Sequence, residues 1–187
     1  MTSCKVRWAI LVALVLAVAA SGVARAEIKP PLIAVVDVQY VLHESTAGKG
    51  VQKVIDSKSE VFAKELAAQE DKLRQTEQDL GRQRGTLSEE AFAKKRRDFE
   101  KQLGDYNRDG QARRKSLEQG GNEAMQAIHR AMLEIIAALV QEQGVNIVLS
   151  KQQVVIVEKS MDLSQDVLER LNTKIPSVVV NLPPIKK

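Results

Sequence analysis

The chain has 187 residues, 28 Lys and Arg against 24 Asp and Glu, two His, one Cys and a formal net charge of +4. A single Cys excludes a disulfide framework. With no Gly-rich phosphate loop, no His-containing zinc motif and no nucleophile elbow, catalysis finds no support, and no catalytic residue, metal ligand or cofactor is assigned.

The first 26 residues read as an export signal. Lys5 and Arg7 precede the twelve-residue apolar run AILVALVLAVAA, and SGVARA follows with Ala24 and Ala26 in a small-x-small cleavage pattern. The run is short for a membrane span, which makes a retained anchor the lesser alternative. Cleavage after about Ala26 removes Cys4, Trp8, Lys5, Arg7 and Arg25. The mature chain then holds 25 basic and 24 acidic residues, a net charge of +1. That value argues against a nucleic-acid binder, whatever the whole-chain pI. Residues 72–115 are the basic part, with 13 Lys and Arg against 8 Asp and Glu.

Residues 32–38, LIAVVDV, have the length and β-branched content of a strand. QYVLHEST can add one helical turn. From Ala47 the pattern is helical, with Val51, Val54, Ile55, Val61, Phe62 and Leu66 assigned to one face. The face then thins to Leu66, Leu73, Leu80 and Leu87, one apolar residue per heptad, with Gln69, Thr76 and Gln83 at the companion positions. A full coiled-coil seam carries two. The expected helix ends at Gly85, and the chain reverses near 85–89. Ser88 caps the next helix ahead of Glu89 and Glu90, or Thr86 does so with Glu89 in a capping box.

The returning helix carries Phe92, Phe99, Leu103 and Tyr106, then Leu117, Ala124, Ile128, Met132, Ile135 and Leu139. Gly110, Gly120 and Gly121 should bend or fray it, because each interior Gly costs about 1 kcal/mol relative to Ala. Gly144 ends it. Residues 145–150 and 153–158 read as two strands of a hairpin. Asp162 then caps a helix over about 163–175, with Gln165 reciprocating, and Pro176 stops it. The tail 176–187 offers at most one edge strand and no evident role.

These elements predict an α+β fold. A small β-rich oligomerisation body comprises residues 27–46 and 127–187, and an antiparallel helical-hairpin arm, residues 47–126, protrudes from it. A helix over 48–84 spans about 55 Å, too long to fit inside a compact globule of this size. The arm is thinly held. A buried Leu contributes about 1.5–3 kcal/mol, whereas fixing each residue's backbone costs about 1–2 kcal/mol. Helix propensity and pairs such as Glu65–Gln69 and Glu90–Lys94 must assist. Three strands in the body leave two open edges, which joining several chains would close.

This order of elements behind a signal peptide resembles the Skp (OmpH) family of periplasmic chaperones. The matching segments are IAVVDVQYVL, LSEEAFAKKRRDFEKQ and NIVLSKQQVVIVEKSMDLSQDVLERL, within residues 32 to about 175. The resemblance implies a periplasmic homotrimer whose strands form a small barrel and whose arms surround a cavity. That cavity would hold unfolded outer-membrane proteins without ATP and prevent their aggregation in transit. It also implies lipopolysaccharide or anionic-lipid contact through Arg113 and Arg114, with Lys101 upstream, although a solvated helix face explains the same residues. On a cavity-lining arm the candidate client contacts are Phe62, Leu66, Leu73, Leu80, Leu87, Phe92, Phe99 and Tyr106, and hairpin packing explains the three Phe as well. The competing function is a structural coiled-coil adaptor of an envelope transport complex, which usually needs larger flanking β-domains than this chain has.

Overall fold

The computed structural model describes residues 30–185, and the expected signal and its cleavage site lie outside the described residues. The elements in chain order are β1 (Ile33–Val36), α1 (Val38–Glu44), α2 (Thr46–Gln83), α3 (Glu89–Gln143), β2 (Ile147–Ser150) and α4 (Ser164–Lys174). Short 3-10 turns occupy Lys151–Gln153 and Lys159–Met161.

The first strand is shorter than its apolar run because Asp37 converts the chain to helix. Its carboxylate accepts from the Tyr40 amide at 2.9 Å and caps α1. Only Ser45 separates α1 from α2. Ser45 is extended (φ −61°, ψ 146°) and fully buried. Its hydroxyl accepts from the Gly48 amide and donates to the Leu42 carbonyl, both at 3.0 Å. A Cβ on Gly48 would lie 1.9 Å from that same Leu42 oxygen, so the tight α1–α2 joint needs glycine there.

Helix α2 runs 38 residues and α3 runs 55. Between them, Thr86 and Leu87 donate to the Gln83 carbonyl, and Ser88 accepts from the Ala91 amide at 3.3 Å. Ser88 rather than Thr86 is therefore the cap. Gly85 does not stop α2 through a left-handed turn: the C-cap is Arg84 in right-handed geometry, and the one positive-φ residue among those described is Gly144 (φ 69°), which ends α3.

Cross-helix contacts join Ile55 to Gly121, Leu66 to Gly110, Gln69 to Asp109 and Gln83 to Lys95, so numbers rise along one helix as they fall along the other.

The expected fraying at Gly110, Gly120 and Gly121 does not occur, and α3 is continuous through all three. The glycines face neighbours instead: Gly121 meets Ile55, Gly110 meets Leu66, and Gly120 meets the C-terminal tail. Packing of this kind offsets the local propensity cost.

The sheet also departs from expectation. It has two strands rather than three, and they run parallel, with Ile33 opposite Ile147 and Val36 opposite Ser150. No 145–158 hairpin forms. Residues 151–153 make a 3-10 turn and 154–158 leave the sheet, while Asp162 bridges the other side of β1 at Val35. The β-rich body is thus, in one chain, a mostly helical base. Its core joins Val41 of α1, Ala47 and Val51 of α2, Ile128, Met132 and Leu139 of α3, and Val167 and Leu171 of α4 to the inner face of β1.

Asp162 does not cap α4 through its own position. The N-cap is Leu163, and the Asp162 carboxylate accepts from the Ser164 amide and hydroxyl, while Gln165 bonds Glu169. Lys151 reaches Asp162 at 2.6 Å. Burial pushes the carboxyl up, but the bonds from Lys151 and Ser164 outweigh it and hold Asp162 below the usual carboxylate range. A depressed folded pKa contributes stability above the unfolded value and loses it as pH falls through the folded one. Below about pH 4 the urea midpoint of the wild type should therefore fall more steeply than that of Asp162→Asn, with near-parallel profiles above it. Parallel profiles throughout would contradict this.

Candidate functional site

The inner face of α2 carries Phe62, Leu66, Gln69, Leu73, Thr76, Leu80 and Gln83, and Leu87 continues the series in the turn beyond its end, all half-buried. Their spacings alternate four and three, a coiled-coil seam in which every second rung is polar. Two polar rungs reach across to α3: Gln69 donates to Asp109 at 3.3 Å, and Lys95 donates to Gln83 at 2.5 Å. Thr76 instead bonds its own helix at the Lys72 carbonyl, 2.9 Å away. On α3, Phe92, Phe99 and Tyr106 lie seven apart and are also half-buried. All eight candidate client contacts therefore lie in one seam between two helices, partly spent on each other.

The expected Glu65–Gln69 pair is replaced by bonds across the seam. Glu65 and Asp109 both take the Arg113 guanidinium, Asp109 at 2.9 Å, and Arg113 also lies 4.8 Å above the Phe62 ring. The Arg113 side chain is 13% exposed. Burial alone would lower its pKa, but the hydrogen bonds to Glu65 and Asp109 raise it, so the charge is fixed and locally neutralised. Next to this node lies an open cleft of about 820 Å3 lined by Lys72, Leu73, Asp105, Tyr106 and Arg108.

Arg114 is exposed and lines a different hollow of about 400 Å3 with Val51, Ile55, Leu117 and Met125. Lys101 is exposed and lines neither. The three basic candidates do not converge, because consecutive helical residues point about 100° apart.

The exposed apolar residues are others. Val54, Val61 and Leu103 are 40–45% exposed on the two long helices. Grouping Val54 and Val61 with the inner face was wrong: each stands one position off the rungs at Ile55 and Phe62. A strict four-three register counted back from Leu66 through Phe62 to Ile55 would have separated them.

The larger apolar surface belongs to the base. Val155 and Ile156 are 98% and 89% exposed, and Ile147 and Leu149 point outward from β2, which pairs only with β1 among the described residues. No group of three or more His, Cys, Asp or Glu among the described residues could hold a metal. No described helix is long and apolar enough to cross a membrane.

Comparison with known proteins places these features. No curated protein matches the chain in sequence. A crystal structure of a candidate outer membrane chaperone (OmpH-like) from Caulobacter crescentus CB15 superposes with a TM-score of 0.76, covering 83% of this chain and 92% of that one at 18% identity. That likeness is one of fold. A family model described as outer membrane protein (OmpH-like) matches residues 32–171. With most of its length inside that match, the chain belongs to the OmpH-like family, the family of Skp.

Proposed function

We propose that the chain is an ATP-independent holdase of the periplasm. It assembles as a homotrimer, and its α2–α3 pairs protrude as antiparallel hairpin arms around a space that receives unfolded outer-membrane proteins. The observation that carries this reading is the division of apolar surface. Residues 52–115 of the arms include no fully buried side chain and expose only isolated apolar residues, whereas the base exposes Val155, Ile156, Ile147 and Leu149 beside an open strand edge.

An edge of that kind favours pairing with another chain. Segment 154–158 has strand composition and no partner strand among the described residues, so a strand from a neighbouring copy supplies the missing ladder. Weak, scattered contacts on the arms suit a client that must leave without an energy source. Holding the unfolded state in this way competes with aggregation by mass action.

The test measures mass in solution together with suppression of aggregation of a diluted, urea-unfolded outer-membrane barrel. A trimer that suppresses aggregation is expected. A monomer without effect would defeat the proposal. Replacing both Val155 and Ile156 by Asp should give a helical monomer by light scattering, since two buried charges would break the shared sheet. Trimers from that variant would move the interface elsewhere.

Anionic-lipid contact, if the arms make it, falls to exposed Arg114 and Lys101. Arg114→Ala should weaken binding to lipopolysaccharide micelles and leave stability within about 0.5 kcal/mol. Arg113→Ala should instead lower stability by about 1–3 kcal/mol, because Glu65 and Asp109 lose their cation. Paired urea titrations and micelle-binding curves check both; the reverse pattern would return Arg113 to the lipid site.

A further inference from the structure

The last described residues, 176–185, lie beyond the family match, which ends at 171, and contain no charged side chain. They form neither helix nor strand. Pro176, Pro183 and Pro184 lack an amide hydrogen, so the segment cannot donate regularly to a sheet. Its burial alternates: Val178, Val180 and Leu182 are half-buried, while Val179 and Asn181 are exposed. Period two is the signature of an extended chain laid against a surface.

Beyond Val180 that surface is α3. A Cβ on Gly120 would sit 2.7 Å from both the Asn181 carbonyl oxygen and the Leu182 Cδ2. One turn earlier, the Ser116 hydroxyl donates to the Pro183 carbonyl at 2.8 Å. Ser116 and Gly120 are buried where the tail passes. Val178 and Val180 pack on the core, so the end from Asn181 onward is the part that can leave without opening it. The Ser116 hydrogen bond and the half-buried Leu182, Pro183 and Ile185 hold that end.

We infer that the Ser116–Gly120 groove is a binding site for extended polypeptide with apolar side chains at alternate positions. The chain's own tail is its resident occupant, and an incoming client segment displaces it. The groove reads a main-chain carbonyl through Ser116, admits a backbone close to α3 at Gly120, and accepts an apolar side chain in the place of Leu182. Beyond that apolar side chain it requires no particular sequence. Strands of membrane barrels have this period, and naming them as the incoming segment rests on the holdase reading. A tethered occupant reduces apparent affinity by the fraction of time the groove is free.

Two variants of the full mature chain separate this from a purely structural tail. Leu182→Asp releases the tail end and leaves the groove open. Gly120→Ala also expels the tail end, but fills the groove with a methyl group while favouring the helix itself. NMR order parameters of the amides at 181, 182 and 185 should fall in both. The probe is a fluorescent ten-residue peptide with Val or Leu at every second position and Ser or Asn between.

Leu182→Asp should bind the probe about tenfold more tightly than wild type, and Gly120→Ala no more tightly than wild type. Equal affinity for wild type and Leu182→Asp, equal gains in both variants, or unchanged order parameters in Gly120→Ala would each overturn the inference. Aggregation suppression is measured alongside. Its presence without the affinity contrast sinks the groove and spares the holdase; the contrast without suppression does the opposite.

Discussion

Replacing Gly48 by Ala should destabilise the base by about 3 kcal/mol or more, the upper range for overpacking, although the same change in an open helix is favourable. The added Cβ would lie 1.9 Å from the Leu42 carbonyl oxygen and 3.0 Å from the Ser45 Oγ. The first is main chain and cannot rotate away. To relieve the clash α1 must separate from α2, which breaks the Ser45 bonds to Gly48 and Leu42 and pulls Val41, fully buried on α1, away from the core. Gly50 is the control. Nothing lies within 4 Å of its virtual Cβ, so Gly50→Ala should stabilise by up to about 1 kcal/mol through helix propensity. Urea unfolding at one fixed protomer concentration measures both, since the proposed assembly would couple stability to concentration. Equal effects at the two positions would show that the α1–α2 joint is not rigid.

The contrast between these glycines shows what a sequence conceals. In GKG, two residues apart, both look like the same local cost; what distinguishes them is a carbonyl on another helix. Gly120 and Gly121 pose the same problem over a longer range, because the atoms they admit come from residues 181–182 and 55. Features set by local geometry were legible: the Ser88 cap, the left-handed Gly144, and the thinning of α2 to one Leu per heptad.

The second strand was legible as a strand but not in its pairing. VVIV at 154–157 is apolar on both faces, so its pattern fixes neither register nor partner. The link at Lys151–Gln153 has hairpin length, yet it folds as a 3-10 turn and β2 pairs with β1, more than a hundred residues earlier in the chain. At the candidate site, the basic residues were found as types but not as environments. Arg113 and Arg114 are indistinguishable in a charge count, and only the seam register tells which one faces Glu65 and Asp109.

Deleting residues 70–110 should leave the proposed oligomer intact and abolish the proposed holdase activity. The deletion is geometrically mild. Gln69 lies within a hydrogen bond of Asp109, so the cut ends, 69 and 111, are neighbours that a short Gly-rich turn can join. It removes the seam from Leu73 through Tyr106, including Leu80, Leu87, Phe92 and Phe99, and the basic segment around 94–97. None of the fully buried core belongs to it: Ile128, Met132, Leu139, Val167 and Leu171 all lie outside, as do Val155, Ile156 and the β2 edge. Because the removed segment holds itself together through half-buried rungs and surface ion pairs worth little individually, its loss should shift the urea midpoint only slightly. Suppression of barrel aggregation should fall to the level without chaperone, because the walls of the receiving space are gone. Light scattering should still report the wild-type number of subunits at a lower mass per chain. A deletion variant that falls apart would place the assembly contacts on the arms, and one that still holds the barrel would place client binding on the base.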